Sequence, residues 1–186
     1  MDLVLMKPGN VVVPEGQGSL VEGTVMGVAD DLKDCIELVS CNYGFSQQMT
    51  TDVSNQARTS GRPNVHDMTI VKYLDVVSPV LYRYALSATP LDDGGDSPTE
   101  IYLCRNSNQD GDDNIIATIM TISLSNCMIS SVQAQSHPND IATEQFTLNF
   151  TDIKWAANFQ GVDATSQAGA LVYQWSVAKN RQTVAS

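Results

Sequence analysis

The residues able to do chemistry are few. His66 and Asp67 stand side by side at the head of the run HDMTIVKYLDVVSP, His66 to Pro79, and an imidazole next to a carboxylate is a pairing used in general-base catalysis and in metal centres. The run alternates as a strand does, however, and neighbours on a strand project to opposite faces, so the two cannot act on one substrate atom without a bulge. His66 is therefore read as the start of a strand. The other histidine, His137, lies in Ser136-His137-Pro138-Asn139-Asp140, a turn-rich connection. Two histidines and four cysteines without a CxxC pair do not make a zinc set. Cys35, Cys41, Cys104 and Cys127 each sit within or beside an apolar segment and read as buried thiols, because free cysteine packs as a small hydrophobe.

Two acidic loops could hold a cation. Asn106 to Asp112 puts oxygen-bearing side chains at positions 1, 3 and 5 and glycine at position 6 of a calcium loop, but position 12 is Ala117 where a bidentate glutamate belongs, and the flanks are strand-like. The loop reads as a solvated hairpin. Asp92-Asp93-Gly94-Gly95-Asp96 matches less well. There is no GxSxG and no phosphate-binding glycine loop, so nothing positive points to an enzyme. A hydrolase centred on His66 or His137 and a calcium-dependent extracellular binding module remain as readings of other classes.

The elements that position these residues are mainly strands. At 186 residues and 20.1 kDa, with 42% hydrophobic and 17% charged residues, the chain fits one domain, residues 1–186, with a real core. Its formal charge of −11 repels phosphate backbones and anionic lipid surfaces, which argues against nucleic acid and membrane insertion as partners. No apolar run approaches the roughly 20 residues of a membrane span, and MDLVLMKPGN breaks at Lys7-Pro8-Gly9 before a signal-peptide core could form, so synthesis is expected to end in the cytoplasm.

Period-2 alternation predicts strands over Asp2–Met6, Cys35–Gln48, Val65–Tyr73, Glu100–Asn106, Ile115–Gln135, Thr143–Asn158 and Gly169–Ala178. The longest of these have room for bends or bulges. Ser78 to Leu86 has proline at the first helical position and apolar residues in helical spacing, which predicts one short helix plugging a barrel end or covering a sheet edge. Pro8–Gly27, Met49–Asn64 and Thr89–Pro98 are long connections, and loops of such length tend to be functional. The expected fold is thus mainly β: a small antiparallel β-barrel with one short helix and long extended loops.

Segments over most of the chain resemble the haemolysin-coregulated protein (Hcp) family, whose members are tube subunits of the bacterial type VI secretion system. Ile36 to Gln47 resembles the family's early strand with its aromatic-glycine turn, and His66 to Pro79 its signature strand leading into the single helix. Ile129 to Gln133, Thr143 to Phe150, and Gly169 to Val177 with its tyrosine-x-tryptophan pattern resemble the later strands. Pro8–Gly27 is longer and richer in glycine and proline than the family's connection, and the Asp92 and Asp110 loops are unusually acidic.

The resemblance implies a barrel that assembles as a ring: a homohexamer whose rings stack into an expelled tube. It implies contacts with sheath, spike and baseplate proteins, small effector proteins in the lumen, secretion to the medium or a target cell, no cofactor and no metal. A phage or phage-derived tail-tube protein would have similar architecture. Within this frame, Met49, Thr50, Thr51, Asp52, Arg58 and Arg62 of the long Met49–Asn64 loop are the expected subunit contacts, because two of the ten basic residues lie where an acidic neighbour could meet them. Thr147, Asn149 and Thr151 are the expected lumen-facing residues, polar but uncharged.

Overall fold

The computed structural model of the chain describes residues 3–11, 25–26, 35–51, 54, 61–93, 97–107, 115–136, 138, 140–160 and 166–183. Among these residues the strands are β1 (Leu3–Lys7), β2 (Val25–Met26), β3 (Ile36–Leu38), β4 (Ser40–Asn42), β5 (Phe45–Ser46), β6 (Asn64–Val65), β7 (Met68–Tyr73), β8 (Thr99–Ser107), β9 (Ile115–Ser125), β10 (Met128–Gln135), β11 (Thr143–Asn149), β12 (Asp152–Gln160), β13 (Ser166–Ser176) and β14 (Arg181–Thr183). The helix α1 (Ser78–Leu86) lies between β7 and β8, with proline in its first turn as expected.

The strands form two main sheets. The larger runs β14-β13-β12-β9-β8-β1-β3, with β2 added in parallel against β9, and the smaller runs β10-β11-β7-β4. The pair β5 and β6 stands as a separate two-stranded unit. The chain crosses between the sheets at three corners. β3 pairs with β1 and β4 with β7, and between them the Val39 N–H donates to the Val71 carbonyl at 2.8 Å. Asn126 and Cys127 separate β9 in the large sheet from β10 in the small one, and Phe150 and Thr151 separate β11 from β12. The expected barrel thus takes the form, among the described residues, of two sheets sharing corners.

The corners explain where the structure departs from the expected strands. Ile115–Gln135 and Thr143–Asn158 are each two strands, and Cys35–Gln48 is three. Asn126 turns with φ 51°, a left-handed conformation that asparagine tolerates better than most side chains. After the Phe150–Thr151 corner the buried phase moves from Phe146, Leu148 and Phe150 to Ile153, because a turn between strands resets which alternate residue faces inward. His66 and Asp67 lie in the break between β6 and β7, so the strand expected from Val65 begins at Met68.

The core fills the space between the sheets. Met6, Ile36, Ile101, Ile122, Leu124 and Ile153 of the large sheet share one buried cluster with Met68, Ile70, Phe146 and Leu148 of the small sheet and with Val77 and Leu81 at α1. Each such side chain contributes about 1.5–3 kcal/mol on burial. α1 lies against β10, an edge strand of the small sheet, which fits the expected covering role. On the other face of the large sheet Leu3, Leu5, Cys35, Tyr102 and Cys104 form a second buried cluster, so β1 is apolar on both faces.

Candidate functional site

β7 orients three surfaces: its two ends and its outward face. Beyond its His66 end, the β5–β6 unit forms the base of the Met49–Asn64 loop and leans on the long strands β12 and β13. The Phe45 ring meets Trp155 edge-on at 6.1 Å, and Trp155 stacks on Tyr173, also at 6.1 Å. Trp155 and Tyr173 are directly paired across β12 and β13, as are Ile153 and Trp175, so the rings share the face that carries the core further along. With Tyr43, Gln47, Pro63, Val65 and Trp175 they line an open groove of about 480 Å³. The long strands outrun the small sheet here, leaving core-type side chains at the surface: Phe45 is 67% and Tyr173 43% exposed.

The outward face of the small sheet has the opposite chemistry. Thr147 stands opposite Ser131 and Thr69, and Gln145 opposite Gln133 and Val71. The Ser131 hydroxyl donates to Thr147 Oγ1 at 2.9 Å, while Ser130 and the Asn149 amide donate to the two oxygens of Asp67 at 3.0 and 2.8 Å. The four strands of this sheet contain two charged residues, Lys72 and Glu144, and both are fully buried on the other face. The outward side chains of β10, β11, β7 and β4 themselves are therefore uncharged, and the Asp67 carboxylate at the edge of this face is held by Ser130 and Asn149.

Those two charges meet at the Tyr73 end. Lys72 Nζ donates to the Tyr73 carbonyl at 2.7 Å, Asp75 Oδ1 at 2.8 Å, Ser78 Oγ at 3.0 Å and Glu144 Oε2 at 3.3 Å. Glu144 also accepts hydrogen bonds from Ser78 Oγ, at 2.6 Å, and from the Tyr82 hydroxyl. Asp75 in turn accepts from the backbone N–H groups of Val77 and Ser78 at the start of α1. One buried network thus ties β7, β11 and the helix entry together, with every ionic group paired.

The expected contact residues divide as follows. Met49 and Thr51 are exposed, Thr50 is half-buried and Arg62 is exposed beside Pro63 at the groove, while Asp52 and Arg58 lie outside the described residues. Thr147 and Asn149 share the outward face of β11. Thr151 lies in the corner after β11, its hydroxyl donating to Asp152 Oδ2 at 2.8 Å and accepting from the Asn126 amide at 3.1 Å.

Among the described residues the catalytic and metal alternatives find no support in the geometry. His66 Nε2 is 3.2 Å from Ser46 Oγ, whereas Asp67 turns to Ser130 and Asn149, so the adjacent pair does not converge. His137 lies outside the described residues, as does most of the Asp110 loop. Asp92 is buried and accepts from the backbone N–H groups of Asn126 and Cys127 at 2.9 and 2.7 Å, fixing the corner between β9 and β10, and Asp93 accepts from the Ser97 N–H at 3.0 Å. Among the described residues no group of three His, Cys, Asp or Glu side chains could hold a metal ion. Cys35, Cys104 and Cys127 are buried, as expected, whereas Cys41 is half-buried, and no disulfide joins the four. Desolvation pushes Cys41 up to about 11 and raises Cys127 further, so the thiolate is suppressed. The Tyr102 hydroxyl is likewise raised by burial and by its 2.5 Å hydrogen bond to Glu100.

Two features escaped the sequence reading. The aromatic groove has a faint signal in Tyr43-Gly44-Phe45, Trp155 and Tyr173-Gln174-Trp175, all at alternate positions, but alternation alone cannot separate a covered ring from an uncovered one. The buried Lys72 has a clearer one, since it falls in phase with Met68 and Ile70.

A family model, "Type VI secretion system effector, Hcp", matches residues 18–156. No curated protein matches the chain by sequence. Among solved structures, one described as a type six secretion system protein superposes with a TM-score of 0.73 at 17% identity, covering 98% of this chain and 100% of that one. Hcp1 from Salmonella typhimurium gives 0.64 at 16% identity over 98% and 99% of the two chains. A type VI secretion system effector from Yersinia pestis gives 0.61 at 16% over 94% and 99%. At such identities these likenesses establish a shared fold.

Proposed function

The chain belongs to the Hcp family of the type VI secretion system, and on that premise we propose that it is a structural tube subunit with no catalytic role. Six copies close into a ring, rings stack into a tube, and the tube is made in the cytoplasm and expelled through contacts with sheath, spike and baseplate proteins. The family match across most of the chain carries this reading.

The chemistry of the small sheet supports it in detail. A lumen that passes small effector proteins needs to be wetted yet weakly charged, so that cargo neither sticks to bare apolar surface nor is held by fixed ions. The outward face bearing Thr69, Ser131, Gln133, Gln145, Thr147 and Asn149 has that character, and we assign it to the lumen. Turning Lys72 and Glu144 inward keeps their charges off this face. The Met49–Asn64 loop, whose ends are joined at the β5–β6 pair, is the arm that engages a neighbouring copy through residues such as Met49, Thr51 and Arg62. Each added copy brings a further −11, so assembly requires such local pairing and is weakened at low salt.

Light scattering after size exclusion tests both statements. The full chain should give a mass near six times 20.1 kDa at moderate salt, and a chain lacking Thr51 to Ser60 should give a folded monomer. A full chain that stays monomeric at every salt concentration would remove the ring, and an intact ring after the deletion would remove the arm.

A further inference from the structure

We infer that copies of this chain meet end to end, the apolar knob Leu74, Val76 and Ile141 of one copy seating in the aromatic groove of the next. The inference rests on the tube reading and supplies its axial contact. The knob follows β7 directly: the Leu74 N–H donates to the Ala142 carbonyl at 2.9 Å, which holds the Leu74–Val76 turn beside Ile141. These three side chains are 51%, 53% and 66% exposed on a chain that carries a large net charge. The groove lies beyond the other end of the same strand, which spans roughly 17 Å from Met68 to Tyr73 at about 3.4 Å per residue.

Each patch is held in place. Asp75, between Leu74 and Val76, is anchored by Lys72 and by the first N–H groups of α1, and the groove rings are set by the register of β12 and β13. The knob fits a concave aromatic site because aliphatic side chains lose water against ring faces without leaving a polar group unpaired. Charge fits as well. The exposed carboxylate of Asp140 stands beside Ile141, and the exposed Arg62 stands beside Pro63 at the groove rim, so the seated pair brings opposite charges together within a contact between two anionic chains. Two unlike patches at opposite ends of one strand make a heterologous contact, and repeating it displaces each copy along β7, which builds an open stack instead of a closed pair.

Cross-linking reads this contact directly. Full-length V76C and F45C copies, mixed and treated with a short bis-maleimide, should give a cross-linked pair at least tenfold more abundant than either variant alone, the native thiols being buried or half-buried. A mixture that cross-links no better than its components overturns the inference. Val76→Asp and Tyr173→Asp provide the second arm. Each should keep the six-copy mass yet fail to stack by electron microscopy, while the two mixed should form two-layer stacks and nothing longer, because each retains the patch the other lacks. Unimpaired stacking by either variant, or its collapse to monomers, overturns the axial contact. Wild-type rings that neither stack nor cross-link defeat this inference alone, whereas a wild-type monomer defeats the tube reading beneath it.

Discussion

The two ends of β7 reverse the usual distribution of polar and apolar groups. At the Tyr73 end a lysine and a glutamate are fully buried, and at the His66 end two aromatic rings, Phe45 and Tyr173, stand largely open to solvent. The first arrangement closes on itself, since Lys72 and Glu144 find their partners within the chain. The second does not, since the rings pack on one another along one side and leave a groove on the other. A buried ion pair is weak evidence of net stability but strong evidence of a fixed geometry, because removing one partner strands the other. An uncovered apolar groove points outward, to a surface that a partner covers. The ionic network at one end serves the fold and the groove at the other serves assembly, as does the knob of Leu74, Val76 and Ile141 that stands beside the network.

Substitutions at the two ends should therefore separate stability from assembly. The largest effect is expected for Lys72→Met, which leaves Glu144 buried without its cation and should cost about 3–5 kcal/mol in urea unfolding. Replacing Lys72 and Glu144 together with apolar residues should cost less than the sum of the two single changes. Additive costs would mean that the pair is not coupled and that the Tyr73 end is not a closed network.

A smaller effect is expected from alkali, acting between the two ends where Cys41 pairs with Ile70. Burial raises the Cys41 thiol from 9.0 to about 11, so between these values the unfolded chain loses a proton that the folded chain keeps. The stability this contributes is full below pH 9 and is lost as pH rises towards 11; Cys104, Cys127 and Tyr102 are raised as well and act in the same direction. Urea midpoints that stay level from pH 8 to pH 11 would show that these groups are more solvated than the structure has them.

The smallest effect on stability is expected at the groove. Phe45→Ala removes a ring that is mostly exposed and should shift unfolding by no more than about 0.5 kcal/mol, while reducing end-to-end stacking. A cost of several kcal/mol would place Phe45 in the core of the monomer and blur the contrast between the ends.

Much of this was legible in the sequence. The helix Ser78–Leu86 coincides with its predicted span, because a proline at its head and the apolar spacing are local signals. The strands that fell short did so at corners. Asn126 sits within an otherwise strand-like run, and one asparagine between Ser125 and Cys127 is too slight a cue to split it. The break at Phe150–Thr151 has no turn-forming glycine or proline at all; what marks it is the change in buried phase from Leu148 to Ile153, visible only once the opposing sheet is known. Lys72 lies in a run that alternates as a strand does, in phase with Met68 and Ile70, but whether that phase faces water depends on Glu144, 72 residues away along the chain.

By itself the sequence determined the class of fold, the helix Ser78–Leu86, the burial of Cys35, Cys104 and Cys127, and a family resemblance that its ordered segments carry. These follow from short-range pattern, where alternation and turn chemistry act over a few residues. Only the tertiary structure decided which side of each strand is covered. The sheets meet at corners, so burial is set by pairing between distant segments: it turned Lys72 and Glu144 inward, kept both charges off the outer face of the small sheet, and carried β12 and β13 past the small sheet so that Trp155 and Tyr173 meet Phe45 at an open groove. A side chain's neighbours along the chain cannot report where a sheet ends above it, and that is what separates a core ring from a contact ring in this protein.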